Sequence, residues 1–194
     1  MSYKSLMVHL HIGHSNTAVL HVARSIAEHF KAEVIGIMVG QQTQMIYGRG
    51  YAALDFFFFV DEQLEKRITE AESLFRDAFK GFSRKIEWRS TITREPLANY
   101  IAAEARCADM IITGISPTDF YEGPTGVTAG EIVMQSGRPV LAVPVVTERF
   151  MLDTILVGWK DSREARRAVA DALPILRLAK QVNLVEIVAE ADLE

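Results

Sequence analysis

Two groups of residues in this 194-residue chain have the types and spacing to do chemistry. The run Met110-Ile111-Ile112-Thr113-Gly114 is followed by a long loop to Gly126-Val127-Thr128 and then by Arg138-Pro139-Val140-Leu141-Ala142-Val143-Pro144. This reads as a buried strand, a glycine-bearing loop, a short helix and a second buried strand, an arrangement that aims backbone N–H groups at an anion such as a nucleotide phosphate. The second group is histidine. His9 and His11 share one face of a strand and His14 can approach them, which gives three nitrogens of the kind a metal takes. No carboxylate stands nearby in sequence, so hydrogen bonding to backbone is the stronger expectation, and no metal is expected.

The elements that position these residues alternate strand with helix, the pattern of a parallel sheet covered on both faces. Leu6 to Leu10 reads as the first strand, and Ser15 or Thr17 as the cap of a helix whose Val19, Val22, Ala23, Ile26, Ala27 and Phe30 form one stripe. Val34 to Val39 is the second strand. A long amphipathic helix then runs from Leu54 through Phe75 to Ala78 and ends at Gly81, followed by a third strand over Ile86 to Ile92. Pro96 fits the first turn of a helix reaching about Cys107, and Asp109 to Gly114 is the fourth strand. Thr128-Ala129-Gly130-Glu131 is a capping box that starts the next helix, and Val140 to Val143 is the fifth strand.

The pattern then restarts. Asp153 to Trp159 repeats the character of the first strand, Asp161-Ser162-Arg163-Glu164 reads as another capping box, and Val182 to Val188 corresponds to the second strand. Lys31 and Lys180 each stand just before the second strand of their unit. The organisation expected is one complete domain over 1–147 and a partial second repeat of β-α-β form over 148–194.

Ala108 to Gly114 together with Gly137 to Pro144 resembles the universal stress protein family, and Ile155-Leu156-Val157-Gly158-Trp159-Lys160-Asp161-Ser162-Arg163-Glu164-Ala165 looks like the opening of a second such domain. The resemblance covers essentially the whole chain and is to the tandem type with a truncated second domain. It implies a doubly wound, open, parallel five-stranded α/β sheet of Rossmann-like form with helices on both faces, plus a C-terminal β-α-β fragment. It also implies a cytoplasmic stress-response protein that binds rather than catalyses, with ATP or another adenine nucleotide as ligand. The residues implied to hold that ligand are His11, Val39, Thr113, Gly114, Ser116, Gly126, Val127 and Thr128.

The loop departs from the family's ATP pattern. ATP-binding members have a glycine, two residues, a second glycine, nine residues, then glycine followed by Ser or Thr. Here Gly114 matches the first glycine, Pro117 occupies the second, the following gap is one residue shorter, and Gly126 precedes Val127. Proline fixes φ near about −65° and has no N–H, so a phosphate donor is lost. Val127 supplies no hydroxyl, although Thr125 and Thr128 flank it. The aspartate that the family tends to place at the end of its first strand is His11 here, and Lys160 in the second repeat. A connecting loop without a nucleotide therefore stands open beside the ATP reading, and with it a non-nucleotide interaction module of the same fold. His11-Ile12-Gly13-His14 also spells the signature of class I aminoacyl-tRNA synthetases, whose imidazoles stabilise ATP phosphates during adenylyl transfer. That signature normally follows a loop after the strand, whereas here it abuts the strand, so adenylyl transfer by His11 and His14 is the lesser alternative.

Composition bounds the partners. Net charge is −4 with the signs interleaved, so no nucleic acid is expected. No apolar run approaches the roughly 20 residues of a membrane span, so no membrane is expected either. The single cysteine, Cys107, falls on the apolar face of the predicted third helix, where a thiol behaves as a small hydrophobe, and a reducing cytoplasm fits it. Five consecutive apolar residues, Phe56 to Val60, circle their helix and point to a partner. The C-terminal repeat carries Ile155-Leu156-Val157, Leu184-Val185 and an apolar helix stripe that its own strands cannot cover. A homodimer is the expectation, with the free edge of the fifth strand as a contact.

Overall fold

Leu6, Met7 and Val8 are each fully buried, because the strand that holds them is at the centre of a sheet covered on both sides. In the computed structural model that strand is β1 (Ser5–His9). The structure describes residues 2–42, 52–115 and 127–186, with the side chains of the long helix described from residue 62 onward. The clustered aromatic run Phe56 to Val60 thus lies outside the described side chains.

The described residues form two compact units, one within residues 3–149 and one within residues 150–186. In the first unit β1 is followed by α1 (Thr17–Phe30), β2 (Glu33–Gln41), α2 (Ala52–Ala78) and β3 (Ile86–Thr93). Then come α3 (Leu97–Glu104), a 3₁₀ turn over Ala105–Cys107, β4 (Met110–Ile115), α4 (Ala129–Ser136) and β5 (Val140–Pro144). All strands pair in parallel in the order β3-β2-β1-β4-β5. This is the doubly wound five-stranded sheet expected from the sequence. No helix among the described residues is long and apolar enough to cross a membrane.

Strand alternation sorts the core into two layers. On one face Met7, Ile35, Ile37, Val39 and Ile111 pack with Leu97, Ile101, Val127 and Ile132 from the side of α3 and α4. On the other, α1 buries Val19, Val22, Ala23 and Ile26, and α2 brings in Phe75, whose ring centroid is 5.5 Å from that of Trp88 on β3. Gly36 on β2 makes that contact possible, since a Cβ there would stand 2.8 Å from both the Phe75 and the Trp88 rings. Asp109 fixes the entry of β1 beside β4, its Oδ2 accepting from the Lys4 and Ser5 amides at 2.7 and 3.0 Å.

The second unit holds β6 (Thr154–Trp159), α5 (Arg163–Leu176) and β7 (Gln181–Glu186), the two strands pairing in parallel. Lys180 forms an ion pair with Asp153 at 2.6 Å, at the start of this sheet.

Several local expectations need correction. Asn16, not Ser15 or Thr17, precedes α1, and its side chain is committed to the preceding loop rather than to the helix. Pro96 is the residue immediately before α3, with φ −54° and ψ 126°, a position where its fixed φ is accommodated and its missing N–H is not needed. The α5 cap is Ser162, whose Oγ accepts from the Ala165 amide at 3.2 Å. Residue N3 is therefore Ala165, and no carboxylate is placed to complete a capping box. Cys107 is exposed. The helix ends at Glu104, and the tighter 3₁₀ turn swings the thiol toward the Glu104 carbonyl at 3.1 Å and Arg89 Nη1 at 3.4 Å.

Candidate functional site

After β1 the chain winds outward through β2 to β3, then crosses back to place β4 on the other side of β1. Connections leaving β1 and β4 thus depart in opposite directions, and their C-terminal ends open a crevice between them. His9 is opposite Thr113 in the register of these two strands.

The loop beyond β1 is pinned by one side chain. Asn16, buried before the first turn of α1, accepts from the His11 amide through Oδ1 at 2.9 Å and donates through Nδ2 to the carbonyls of His11 at 3.0 Å and His14 at 3.4 Å. The loop passes through Gly13 with φ +85°, a conformation that glycine adopts without strain. His11 and His14 are thereby held with ring centroids 6.0 Å apart. Together with Ser15, Asn16, Gly114, Ile115 and Val145 they line a recess of about 10 Å³. That is the scale of one water molecule.

One polar chain runs from the recess into the sheet. His11 Nε2 and His9 Nδ1 each lie 2.9 Å from Thr113 Oγ1, and the two rings are 4.4 Å apart between centroids. Burial among strands holds the His9 pKa well below its ordinary value, and the neighbouring His11 ring adds to that depression. Both effects favour the uncharged imidazole at this position.

Of the residues expected from the sequence, His11 and Gly114 meet at the recess, and Thr113 stands just behind them. A Cβ on Gly114 would meet Val19 at 3.2 Å and the His11 ring at 3.8 Å, so the bare backbone keeps this wall open. Val39 and Val127 are both buried in the apolar cluster on the α3 and α4 side. Thr128 caps α4, with Oγ1 accepting from the Glu131 amide at 3.2 Å while its own amide donates to Glu131 Oε2 at 2.8 Å. The amide and hydroxyl that an anion would use at this helix start are thus engaged by a carboxylate. Ser116, Pro117 and Gly126 lie outside the described residues. Asn16, Ser15, Ile115 and Val145 were not anticipated at the recess. Only Asn16 carried a signal, since Asn immediately before a helical stripe readily binds neighbouring backbone groups.

Compared by sequence, the chain matches no family model and no curated protein. By structure it is similar to the universal stress protein UspA from Lactobacillus plantarum, at 14% identity and a TM-score of 0.56, over 74% of this chain and 99% of that one. A protein of the universal stress protein family from Burkholderia pseudomallei is similar at 17% identity and a TM-score of 0.50, over 73% and 96%. A universal stress protein from Archaeoglobus fulgidus DSM 4304 reaches 97% of this chain and 69% of its own, at 15% identity and a TM-score of 0.61. At these identities the likeness is one of fold, and the chain has the parallel α/β fold of universal stress proteins.

Proposed function

We propose that this chain is a universal stress protein of tandem type, a cytoplasmic stress-response protein that binds a small ligand, an adenine nucleotide such as ATP, at the β1–β4 crevice and performs no chemistry on it. The observation that carries the reading is the reversal of strand order between β1 and β4, with His11 and the bare backbone of Gly114 at the resulting opening. The repeat of β1-α1-β2 by β6-α5-β7, and the likeness extending over 97% of the chain to the Archaeoglobus protein, support the tandem assignment. Exposed Leu156 and Leu184 on the small second sheet, and the free edge of β5, support association into a homodimer.

Isothermal titration with ATP, ADP and AMP tests the ligand. His11→Ala is expected to weaken binding by about tenfold, one charge-assisted hydrogen bond, and Gly114→Val to abolish it by filling the opening. Affinity unchanged in both variants would place the ligand elsewhere. A second reading, an interaction module that takes no nucleotide, draws on the engaged Thr128 amide and hydroxyl and on the small recess. Absence of heat with all three nucleotides favours it.

A further inference from the structure

At the inner wall of the recess one hydroxyl stands between two imidazoles. Thr113 is completely buried, with His9 Nδ1 and His11 Nε2 both 2.9 Å from its Oγ1. A hydroxyl has a single hydrogen. It donates to one ring while accepting from the other, so the tautomers of the two rings are coupled. With both rings neutral the chain of bonds runs in either direction. A proton added to His11 makes both of its nitrogens donors, which obliges Oγ1 to accept from Nε2 and to donate to His9 Nδ1. His9 is then neutral, with its hydrogen on Nε2. Protonating both rings would aim two N–H groups at Oγ1 and leave the buried hydroxyl hydrogen without an acceptor, a costly arrangement.

Burial decides which ring takes the proton. His9 is sealed within the sheet, 3% exposed, where a charge is expensive, while His11 is partly exposed and lines the recess. We infer that His9, Thr113 and His11 form a one-proton wire, so that a phosphate-bearing anion binds at the mouth of the recess together with a proton on His11, and Thr113 transmits that charge to His9 as a fixed tautomer. This rests on the assignment of the recess as the ligand site.

Among the described residues, the surrounding charged and titratable groups contribute to the field. His14 lies in the same loop, and Arg67 of α2 reaches to 3.6 Å from where a Gly13 Cβ would be. The start of α1 adds the positive end of its dipole. From the facing helices, Glu131 of α4 is turned onto Thr128 and Glu104 of α3 onto Arg89. An anion beside His11 raises the pKa of that ring. Binding is therefore complete below the pKa of the free ring and weakens as pH rises through that of the occupied one, by up to about tenfold per pH unit.

The experiment uses the full chain with ¹⁵N-labelled histidine. Long-range ¹H–¹⁵N spectra between pH 5 and 8 should show His11 taking up a proton while His9 stays neutral and becomes locked with its hydrogen on Nε2. A His9 imidazolium, or a His9 with hydrogen on Nδ1 beside a protonated His11, overturns the wire. Thr113→Val should uncouple the His9 tautomer from the charge of His11, and Thr113→Ser should restore the coupling. Calorimetry with ATP and with inorganic phosphate, across pH 5 to 8 in two buffers of different ionisation heat, should register net proton uptake that peaks between the pKa of the free His11 ring and that of the occupied one, falls away on either side, and is lost in His11→Ala. Phosphate binding with proton uptake but no ATP binding keeps the wire and ends the nucleotide reading. ATP binding without proton uptake keeps the nucleotide and overturns the wire, and binding of neither overturns both.

Discussion

The segments β1-α1-β2 and β6-α5-β7 have the same order and the same parallel pairing, and their first strands share an aliphatic run, yet one is a core and the other is a surface. Leu6, Met7 and Val8 of β1 are 0% exposed, whereas Leu156 of β6 is 67% exposed and Leu184 of β7 is 64%. α1 buries seven residues, and α5 buries only Pro174. Local pattern produces strand, helix and parallel register in both places. Burial comes from what flanks them: β1 has β4 on its second edge and helices on both faces, and β6, among the described residues of its unit, has only β7 beside it and α5 against it. Apolar periodicity is thus a statement about an element's orientation, and its contribution to stability depends on the neighbours that close over it.

Matched truncations should expose this difference most strongly. Leu6→Ala removes a fully buried side chain and is expected to cost about 2–5 kcal/mol, whereas Leu156→Ala should change stability by no more than about 0.5 kcal/mol. Urea unfolding followed by Trp88 fluorescence in a Trp159→Phe background reads the first unit, and Trp159 fluorescence in a Trp88→Phe background reads the second. Equal costs at the two positions would mean that β6 is covered in solution, which dimerisation through the second unit would produce.

The glycines sharpen the same comparison. Gly36→Ala drives a methyl to 2.8 Å from the Phe75 and Trp88 rings and should cost about 1–3 kcal/mol, while Gly158→Ala on β6 meets nothing within 4 Å and should be close to neutral. Thermal unfolding of the two variants decides it. A neutral Gly36→Ala would show that α2 is free to shift away from β2.

His9 gives the first unit a pH dependence that the second lacks, for the matching position in β6 is Gly158. The pKa of His9 is lowered in the folded state from about 6.5, so the unfolded chain binds the extra proton. The neutral ring's contribution is fully present above pH 6.5 and is lost as pH falls toward the folded value, with a slope of at most about 1.4 kcal/mol per pH unit. Denaturant midpoints between pH 7.5 and 5 should fall for the natural chain and fall less for His9→Leu. An identical slope in both would assign the loss to other groups.

The strands of both units were legible because each is a short run of branched and aliphatic residues bounded by turn formers, and the α4 capping box because Thr128 and Glu131 have the required spacing. The crevice followed from strand alternation, which puts His11 and Gly114 at neighbouring strand ends whatever the loops do. Details that depend on a single turn escaped. Cys107 was placed on a helix face that the chain abandons after Glu104, and the α5 cap was assigned to Asp161 although loop geometry selects its neighbour Ser162. The commitment of Thr113 to two histidines was invisible too. It arises from the β1–β4 register, which brings together residues more than a hundred positions apart.

The helix caps carry the smallest expected difference. At α4 the Thr128 hydroxyl accepts from the Glu131 amide and the Glu131 carboxylate answers the Thr128 amide, two orphan donors satisfied reciprocally. At α5 Ser162 satisfies only the Ala165 amide, because N3 is Ala165 itself. Thr128→Ala should therefore cost about 1 kcal/mol and leave both donors poorly satisfied, and Ser162→Ala about 0.5 kcal/mol. Amide hydrogen exchange separates the two locally: protection should fall at both Thr128 and Glu131 in the first variant, and at Ala165 alone in the second. If Glu131 kept its protection in Thr128→Ala, another acceptor would be holding that amide, and the start of α4 would be better prepared for an anion than the capping box implies.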